Sequence, residues 1–445
     1  MASTPLSKAE NKAEKIQLFS ISSPPMRAFH LTWMAFFVCF FAWFACAPLM
    51  PVIKQQLGLS VAQIANINIA AVAVTILVRL IIGPLCDRFG PRKTYTGLLL
   101  LGSLPVLGVG LSHSYESFLW FRLCIGAVGA SFVITQYHTS VMFAPKVVGT
   151  ANAATAGWGN AGGGVAQGLM PLLLSALLML GVGESLSWRL ALVVPGVLML
   201  IMAVVYWRYT QDCPQGNFSE LRAAGIAIEG PKGKGGGWAS FRAASVNYRV
   251  WMLFVTYGAC FGVEIFIHNI AAIYYVDHFG LSLKSAGIAA ASFGLLALFA
   301  RALGGIISDR VALRGGLNRR ATLLFIFMLG EGVGLLWFAH AGSAGLAVVA
   351  MLCFGLFTHM ACGATYALVP FIDRRALGGV AGIIGAGGNV GAVLAGFLFK
   401  GLGDTQQTLS VLGVLVAVSA LCAIAVRFST DKSDEAAFAA GNIAA

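Results

Sequence analysis

The chain has 445 residues, of which 58% are hydrophobic and 10% are charged, and its mean hydropathy is +0.83. A water-soluble domain of this length does not need so much apolar surface, whereas membrane spans do. The apolar runs are about 20 residues long, which favours helical spans over short alternating strands. The formal charge of +12 does not indicate nucleic-acid binding, because most of the 29 basic residues lie in short loops between apolar runs.

Twelve apolar runs predict twelve transmembrane helices in two pseudo-symmetric six-helix halves, an all-α integral membrane fold. The polar stretch 209–248 contains Pro214, Pro231 and the run KGKGGG, which predicts a flexible cytoplasmic linker. The predicted order is a tail at 1–27, a bundle at 28–208, this linker, a bundle at 249–428 and a tail at 429–445. The predicted spans are 29–53, 61–86, 94–113, 117–143, 150–181, 187–208, 249–276, 284–308, 320–341, 344–370, 376–400 and 408–428.

Basic residues predict the orientation of the chain. With both termini inside, twenty-two Lys and Arg residues fall in inner segments and four in outer loops. This asymmetry predicts a multi-pass protein of the inner (cytoplasmic) membrane with both termini in the cytoplasm. The N-terminal tail lacks the apolar core of a signal peptide. The nine cysteines are scattered without a Cys-x-x-Cys motif, so we expect neither disulfides nor a metal site.

One ten-residue phrase occurs twice, 222 residues apart: residues 79–88 read RLIIGPLCDR and residues 301–310 read RALGGIISDR. Arg79 lies eight residues before Asp87, or about 12 Å along a helix, which places it near the middle of a hydrocarbon core about 30 Å thick. Arg301 lies at the same depth in its own half. Charges at that depth mark functional sites. A planar guanidinium fork suits a small planar oxyanion, so we expect one anion to be held between the halves.

The end of the phrase carries a second group of charges. Residues 83–93 read GPLCDRFGPRK, and a degraded copy follows the eighth span. Charges at this helix end can latch the two halves together, although positive-inside charge alone is the simpler interpretation. The candidate latch residues are Gly83, Asp87, Arg88, Arg92, Asp309 and Arg310.

The fifth and eleventh spans share another motif, AGWGNAGG in one and GAGGNVGA in the other. Aligning the motifs pairs Asn160 with Asn389 and Gly159 with Gly388. Small residues at this spacing let membrane helices approach closely, so a packing surface is one interpretation. An amide beside bare backbone can also donate hydrogen bonds to a small anion. Matching arginine, asparagine and glycine residues in two parallel repeats are typical of an alternating-access carrier.

Residues 83–93 closely resemble the helix 2–3 loop of the major facilitator superfamily, and the glycine–asparagine stretches resemble the nitrate signatures of its nitrate/nitrite porter family. The resemblance covers nearly the whole chain, including FACAPLMPVI, YGACFGVEIFIHN and YALVPFIDRRALG, and points to the branch with plant and bacterial high-affinity nitrate carriers. It implies a major facilitator fold and a secondary transporter that imports nitrate, with nitrite as a further candidate substrate. The implied anion-binding residues are Arg79, Arg301, Asn160, Asn389, Phe132, Tyr257 and Phe261, with Gly159 and Gly388 beside the asparagines.

The seventh span carries Glu264, where the nitrate/nitrite-exchanging members tend to lack a titratable acid, and His268 follows one turn later. A glutamate inside the membrane can bind a proton reversibly, so both residues are candidates for proton coupling. A structural pair between Glu264 and an arginine or His268 is the alternative. Glu331, in the ninth span, is expected to be peripheral.

These observations predict proton-coupled nitrate import by alternating access, and two unpaired arginines should keep the empty carrier from closing. Nitrate/nitrite exchange is the alternative mechanism, and a nitrate sensor without transport is the alternative of another class. A sensor is disfavoured by the short tail at 429–445. An enzyme is disfavoured because no metal cluster, nucleophile–base pair or phosphate loop is recognisable. The expected partners are nitrate, nitrite, protons and the bilayer, with no cofactor and no nucleic acid, and we expect a monomer.

Overall fold

The computed structural model describes residues 12–226, 236–373 and 376–428. Eleven of its helices are long and apolar enough to cross a membrane. One of these, Leu283–Ala339, has 57 residues and is interrupted at Gly315 and Gly316, where Gly316 has a φ of +74°. A continuous helix of that length would extend about 85 Å, more than twice the hydrocarbon thickness. The interruption therefore separates two crossings, which confirms the predicted twelve-helix architecture for the described part of the chain.

We number the membrane helices α1 to α12. Each predicted span coincides with one of them, and the ends differ by several residues. The bounds are α1 Pro24–Leu57, α2 Val61–Phe89, α3 Pro91–Leu111, α4 Tyr115–Met142, α5 Pro145–Met179, α6 Glu184–Tyr209, α7 Tyr248–Phe279, α8 283–314, α9 317–339, α10 Ala344–Leu368, α11 Leu377–Leu402 and α12 Thr405–Ala425.

The connection between α6 and α7 defines one end of the bundle, here called the linker face; the opposite end is the far face. Four helices that start at the far face, α2, α4, α8 and α10, each begin after a serine whose side chain accepts a backbone N–H of the first turn. At the linker face, the predicted flexible linker contains two short helices, Phe218–Ala223 and Gly236–Ser245. Most of the KGKGGG run, the first eleven residues and the tail from 429 lie outside the described residues.

The two halves pack by the same plan. Helix α1 contacts α5 and α6 as α7 contacts α11 and α12, and α3 contacts α6 as α9 contacts α12. The glycine motifs make these close contacts possible. A Cβ atom at Gly162 would lie 2.1 Å from the carbonyl oxygen of Phe37, and one at Gly391 would lie 2.0 Å from that of Gly258. The halves meet along α2–α11 and α5–α8, the helices that carry the repeated motifs.

Candidate functional site

Arg79 lies in the second half of α2 and reaches across the interface between the halves. Its Nη1 donates to the carbonyl of Gly385 on α11, and its Nη2 donates to the carbonyl of Gly129 on α4, both at 3.3 Å. The guanidinium carbon lies 5.4 Å from the centre of the Phe132 ring, within cation–π range. Among the described residues, no carboxylate lies within salt-bridge distance of Arg79. Among these residues, the positive charge of Arg79 therefore contacts only backbone carbonyl dipoles and an aromatic ring.

Arg301 lies at the matching position of α8 and has an acid as neighbour. Its Nη2 lies 2.5 Å from Oε2 of Glu264, and both side chains are buried. Asn160 of α5, with its amide oxygen turned towards the guanidinium, accepts from Nε, Nη1 and Nη2 at 3.2, 3.1 and 2.9 Å. The guanidinium carbon lies 5.3 Å from the centre of the Phe261 ring. This contradicts the expectation of two unpaired arginines in an empty carrier, because Arg301 is paired.

A row of four aromatic rings runs between the two arginines. Phe132 lies 6.4 Å from Tyr366, Tyr366 lies 5.0 Å from Tyr257, and Tyr257 stacks on Phe261 at 5.1 Å with 14° between the ring planes. The sequence had pointed to Phe132, Tyr257 and Phe261 but not to Tyr366. We call Arg79, Arg301 and the side chains that contact them, together with these rings, the arginine site.

The motif residues of α5 and α11 occupy distinct places around the arginine site. Asn160 contacts Arg301 directly. Asn389 is fully buried, and neither atom of its amide has a hydrogen-bond partner among the described residues. It lies one helical turn after the carbonyl that Arg79 contacts. A Cβ at Gly159 would lie 1.9 Å from the Phe36 ring, and one at Gly388 would lie 2.4 Å from the Phe261 ring. The two glycines thus make room for aromatic rings.

His268 and Glu331 both have buried side chains. The ring of His268 lies against Phe44 and Phe293, with centroids 4.8 and 5.5 Å apart, and its nitrogens have no hydrogen-bond partner among the described residues. Its role in proton coupling stays a prediction without a direct contact to Glu264. The side chain of Glu331 is fully buried, and its role as a peripheral structural or interfacial residue stays a prediction.

Instead, His359 of α10 is the histidine beside Glu264. Its Nδ1 lies 3.5 Å from Oε2 of Glu264, and its ring is completely buried. The sequence reasoning missed both His359 and Tyr366. One signal was available, because the two residues are seven apart and therefore lie on the same face of α10. A lone histidine in an apolar run does not show which helix it faces.

The candidate latch residues at the linker face make contacts within their own halves and with the linker. Tyr137 donates to Asp87 at 2.9 Å, and Arg222 of the linker donates to the carbonyls of Asp87 and Arg88. In the second half, Asp309 pairs with Arg320 at 2.8 Å. The other candidates lie nearby: Arg92 donates to the carbonyl of Trp207, Arg310 is exposed, and a Cβ at Gly83 would meet open space. A latch between the halves stays a prediction.

Asp212, at the start of the linker, was not singled out from the sequence. Its carboxylate accepts from the backbone N–H groups of Arg92 and Phe218 at 2.8 and 2.9 Å. Burial raises the pKa of Asp212, and these two hydrogen bonds oppose that rise. The carboxylate would lie 2.3 Å from a Cβ at Gly90, which has a φ of +86°. Asp212 thus ties the linker to the α2–α3 turn.

Polar contacts also join the two halves near the far face. Lys54 and Asp277 form an ion pair at 2.7 Å. Deeper in the interface, the buried Arg122 donates to the carbonyl of Trp43 and, at 3.2 Å, to Oδ1 of Asn269. Gln167 donates to the carbonyl of His268. Towards the far face, the backbones of α5 and α8 come so close that a Cβ at Gly164 would lie 2.7 Å from the backbone of Gly294. These contacts hold the halves together on that side of the arginine site.

The sequence profile of the Major Facilitator Superfamily matches residues 32–372, which is most of the chain. The chain belongs to the major facilitator superfamily. The solved structures agree on the fold. A bacterial homolog of the human lysosomal transporter Spinster has a TM-score of 0.72 and 16% sequence identity over 92% of this chain and 100% of that chain. The E. coli fucose:proton symporter FucP has a TM-score of 0.60 and 14% identity over 91% and 100% of the two chains.

Curated relatives narrow the family. The chain is 41% identical to high affinity nitrate transporter 2.5 of Arabidopsis thaliana, over 92% of this chain and 80% of that protein. It is 38% identical to nitrate transporter 2.1 of Chlamydomonas reinhardtii, over 90% and 73%. It is 31% identical to the nitrate/nitrite transporter NrtP of Nostoc punctiforme, over 92% and 93%. These similarities confirm the nitrate/nitrite porter family. The protein is a multi-pass membrane transporter and not an enzyme.

Proposed function

We propose that this transporter imports nitrate together with protons, and that the arginine site is where nitrate binds. The relatives named as nitrate transporters support the substrate. The side chains support it chemically. Nitrate is a small planar anion with three acceptor oxygens, and two guanidinium forks offer planar sets of donors to such an anion. The buried amide of Asn389 adds donors, and the row of aromatic rings offers flat apolar surface.

One observation favours proton symport: the 2.5 Å contact between Arg301 and Glu264. Glu264 as a carboxylate occupies one of the donors that an anion needs. A bound nitrate and the ionised Glu264 are both negative, so they compete for Arg301. When Glu264 takes up a proton, this competition disappears and Arg301 can bind nitrate. Proton binding and nitrate binding therefore assist each other through one guanidinium group.

A proton carried with nitrate also offsets the electrical cost of nitrate import. Moving a nitrate inward against a negative-inside potential costs about 2.3 kcal/mol per charge per 100 mV. One proton carried with each nitrate cancels that charge, and a second proton makes the potential assist import. Exchange for internal nitrite would also be charge-neutral, and this remains the alternative mechanism. The relative named as a nitrate/nitrite transporter keeps nitrite among the substrates to be tested.

We further propose that the linker face is cytoplasmic, in the inner membrane of the cell, with both termini on that side. The distribution of basic residues, twenty-two against four, supports this orientation. In alternating access the halves would rock about the arginine site, and the far-face contacts would break to admit nitrate. The candidate latch would then form at the linker face.

Proteoliposomes with purified protein test the proposal. Nitrate, nitrite and chlorate are compared in counterflow, with and without an inward proton gradient. We expect saturable nitrate counterflow, and nitrate accumulation together with proton entry when the outside is acidic. Nitrate influx that requires internal nitrite and ignores the pH gradient would establish exchange. Nitrate binding without counterflow would establish a sensor, and the absence of both would overturn the proposal.

A further inference from the structure

A hydrogen bond at the ring nitrogen Nε2 fixes the tautomer of His359. Its Nε2 lies 3.1 Å from the carbonyl oxygen of Phe293. A carbonyl only accepts hydrogen bonds, so Nε2 must carry the proton. In the neutral ring, Nδ1 is then a bare acceptor. The backbone of α8 therefore sets which nitrogen of His359 is available.

That available nitrogen faces another acceptor. Nδ1 of His359 lies 3.5 Å from Oε2 of Glu264, and both side chains are buried. Two facing acceptors without a proton between them repel, and in a buried site this repulsion is weakly screened. The other carboxylate oxygen, Oε1, has no hydrogen-bond partner among the described residues. A proton placed between Nδ1 and Oε2 would give both facing acceptors a partner.

The other groups around this pair do not supply that proton. Arg301 also donates to Oε2 and has no acceptor capacity. Cys362 lies 3.7 Å from Oε2 and is at most a weak donor, and Cys260 lies beside Cys362 at 3.5 Å. Among the described residues, the remaining titratable groups that interact with the pair or with Arg301 are Tyr257, Tyr366, His268 and Glu331.

We propose that Glu264 and His359 form one shared proton site, and that the proton bound there releases Arg301 to bind the anion. This inference rests on the proposed proton-coupled nitrate transport. The proton comes from water on the open side and binds to Nδ1 or Oε2, and no other bond is made or broken. The net charge of Arg301, Glu264 and His359 rises from zero to plus one, and a bound nitrate returns it to zero. On the other side of the membrane, the anion and the proton leave and the Arg301–Glu264 pair forms again.

The variant His359→Gln tests the proposal, because its amide nitrogen can still donate to the carbonyl of Phe293 while the side chain cannot bind a proton. Nitrate affinity of the purified protein is measured against pH. In the unmodified protein, uptake of one proton makes the affinity fall about tenfold for each pH unit above the midpoint. We expect His359→Gln to move this midpoint at least about one pH unit towards acid, because the shared proton loses one of its two acceptors.

His340→Gln is the control, since His340 lies in the same half, at an exposed position directly after α9, where its ring contacts the carbonyl of Leu336. It should leave the midpoint in place. An unchanged midpoint in His359→Gln or an equal shift in His340→Gln would each overturn the shared site. If the unmodified protein binds nitrate without any pH dependence, the proposed symport itself fails. A pH dependence that His359→Gln leaves intact removes only the present inference.

A measurement on the unmodified chain covers the case in which His359→Gln does not fold. Nitrogen NMR of the isotope-labelled histidines, seven in all, reports the protonation and hydrogen bonding of each ring. At a fixed pH near the midpoint, added nitrate should move one Nδ1 from a bare acceptor to a protonated or strongly hydrogen-bonded state. The proposal is overturned if no histidine of the folded protein responds.

Discussion

Arg79 and Arg301 occupy the same position in two copies of one sequence phrase, yet their neighbours differ. Both lie over a phenylalanine ring, and both contact the glycine-rich helix of the opposite half. Arg301 also has the carboxylate of Glu264 at 2.5 Å, whereas Arg79 meets two backbone carbonyls. The repeat thus provides two candidate anion-binding arms. Only the arm in the second half is tied to a group that can take up a proton.

This difference assigns anion attraction and proton coupling to different arginines, which two identical arginine environments could not do. Arg79 keeps a positive charge that no acid cancels among the described residues. In the proposed mechanism, Arg301 is available to an anion only when Glu264 is protonated. We infer that Arg79, in the first half, attracts the anion whether or not a proton is bound. Arg301, in the second half, binds the anion only when a proton is bound.

The largest effect is expected when either arginine is replaced by lysine. Arg79→Lys and Arg301→Lys keep the charge but lose the planar fork. Each hydrogen bond to a charged group contributes about 1.5–3 kcal/mol, so losing two of them should weaken nitrate binding at least about 100-fold. Nitrate uptake by proteoliposomes measures the effect. Arg314→Lys, at an exposed position of α8, is the control that should transport normally. Normal nitrate uptake by either site variant would remove that arginine from the site.

A smaller and more selective effect is expected from Glu264→Gln, which should make the second arm resemble the first. The glutamine cannot be ionised, so Arg301 stays available at every pH. Since coupling between two ligands commonly amounts to 5–150-fold, accumulation driven by a pH gradient should fall at least about fivefold. Counterflow should continue. Glu331→Gln, a buried acid that pairs with neither arginine among the described residues, should keep gradient-driven accumulation. Unchanged accumulation in Glu264→Gln would show that the two arms do not differ in proton coupling.

The smallest effects concern the glycines that accommodate the rings on each arm. Gly159→Ala and Gly388→Ala each place a Cβ against a buried phenylalanine and should destabilise the protein by about 1–3 kcal/mol. Gly149→Ala and Gly382→Ala lie on the same two helices where a Cβ meets open space. These controls should be neutral or stabilising by about 0.5–1 kcal/mol, because alanine favours a helix over glycine. Thermal unfolding of the purified variants measures the difference, and a shift in the two control variants equal to that in the site variants would contradict the packing account.

The sequence predicted the helices well, because apolar runs are local features of the chain. These runs located the twelve spans, and the spacing of Arg79 from Asp87 predicted that the arginines lie near the middle of the membrane. The resemblance to a transporter family named the aromatic residues Phe132, Tyr257 and Phe261, which do lie between the arginines. Periodicity alone could not have chosen them from 30 phenylalanines and 10 tyrosines.

The sequence was less informative about which residues meet. His268 follows Glu264 by one turn on the same helix, so it was the natural candidate for a partner. The structure instead places His359 there, 95 residues later in the chain. Glu331 was expected to be a peripheral structural or interfacial residue, and its side chain is fully buried. In each case the sequence specified the helix and the position along it. It did not specify how that helix is rotated against its neighbours.

The sequence by itself determined twelve spans, a repeated pair of arginines at one depth, and the glycine–asparagine stretches that pointed to the family. Hydrophobic periodicity and composition act locally, so a single chain displays them directly. Only the tertiary structure decided that Arg301 is paired with Glu264 and that Arg79 has no such partner among the described residues. That choice depends on how α7, α8 and α10 pack, since side chains of distant segments come within hydrogen-bond distance only after the helices have docked.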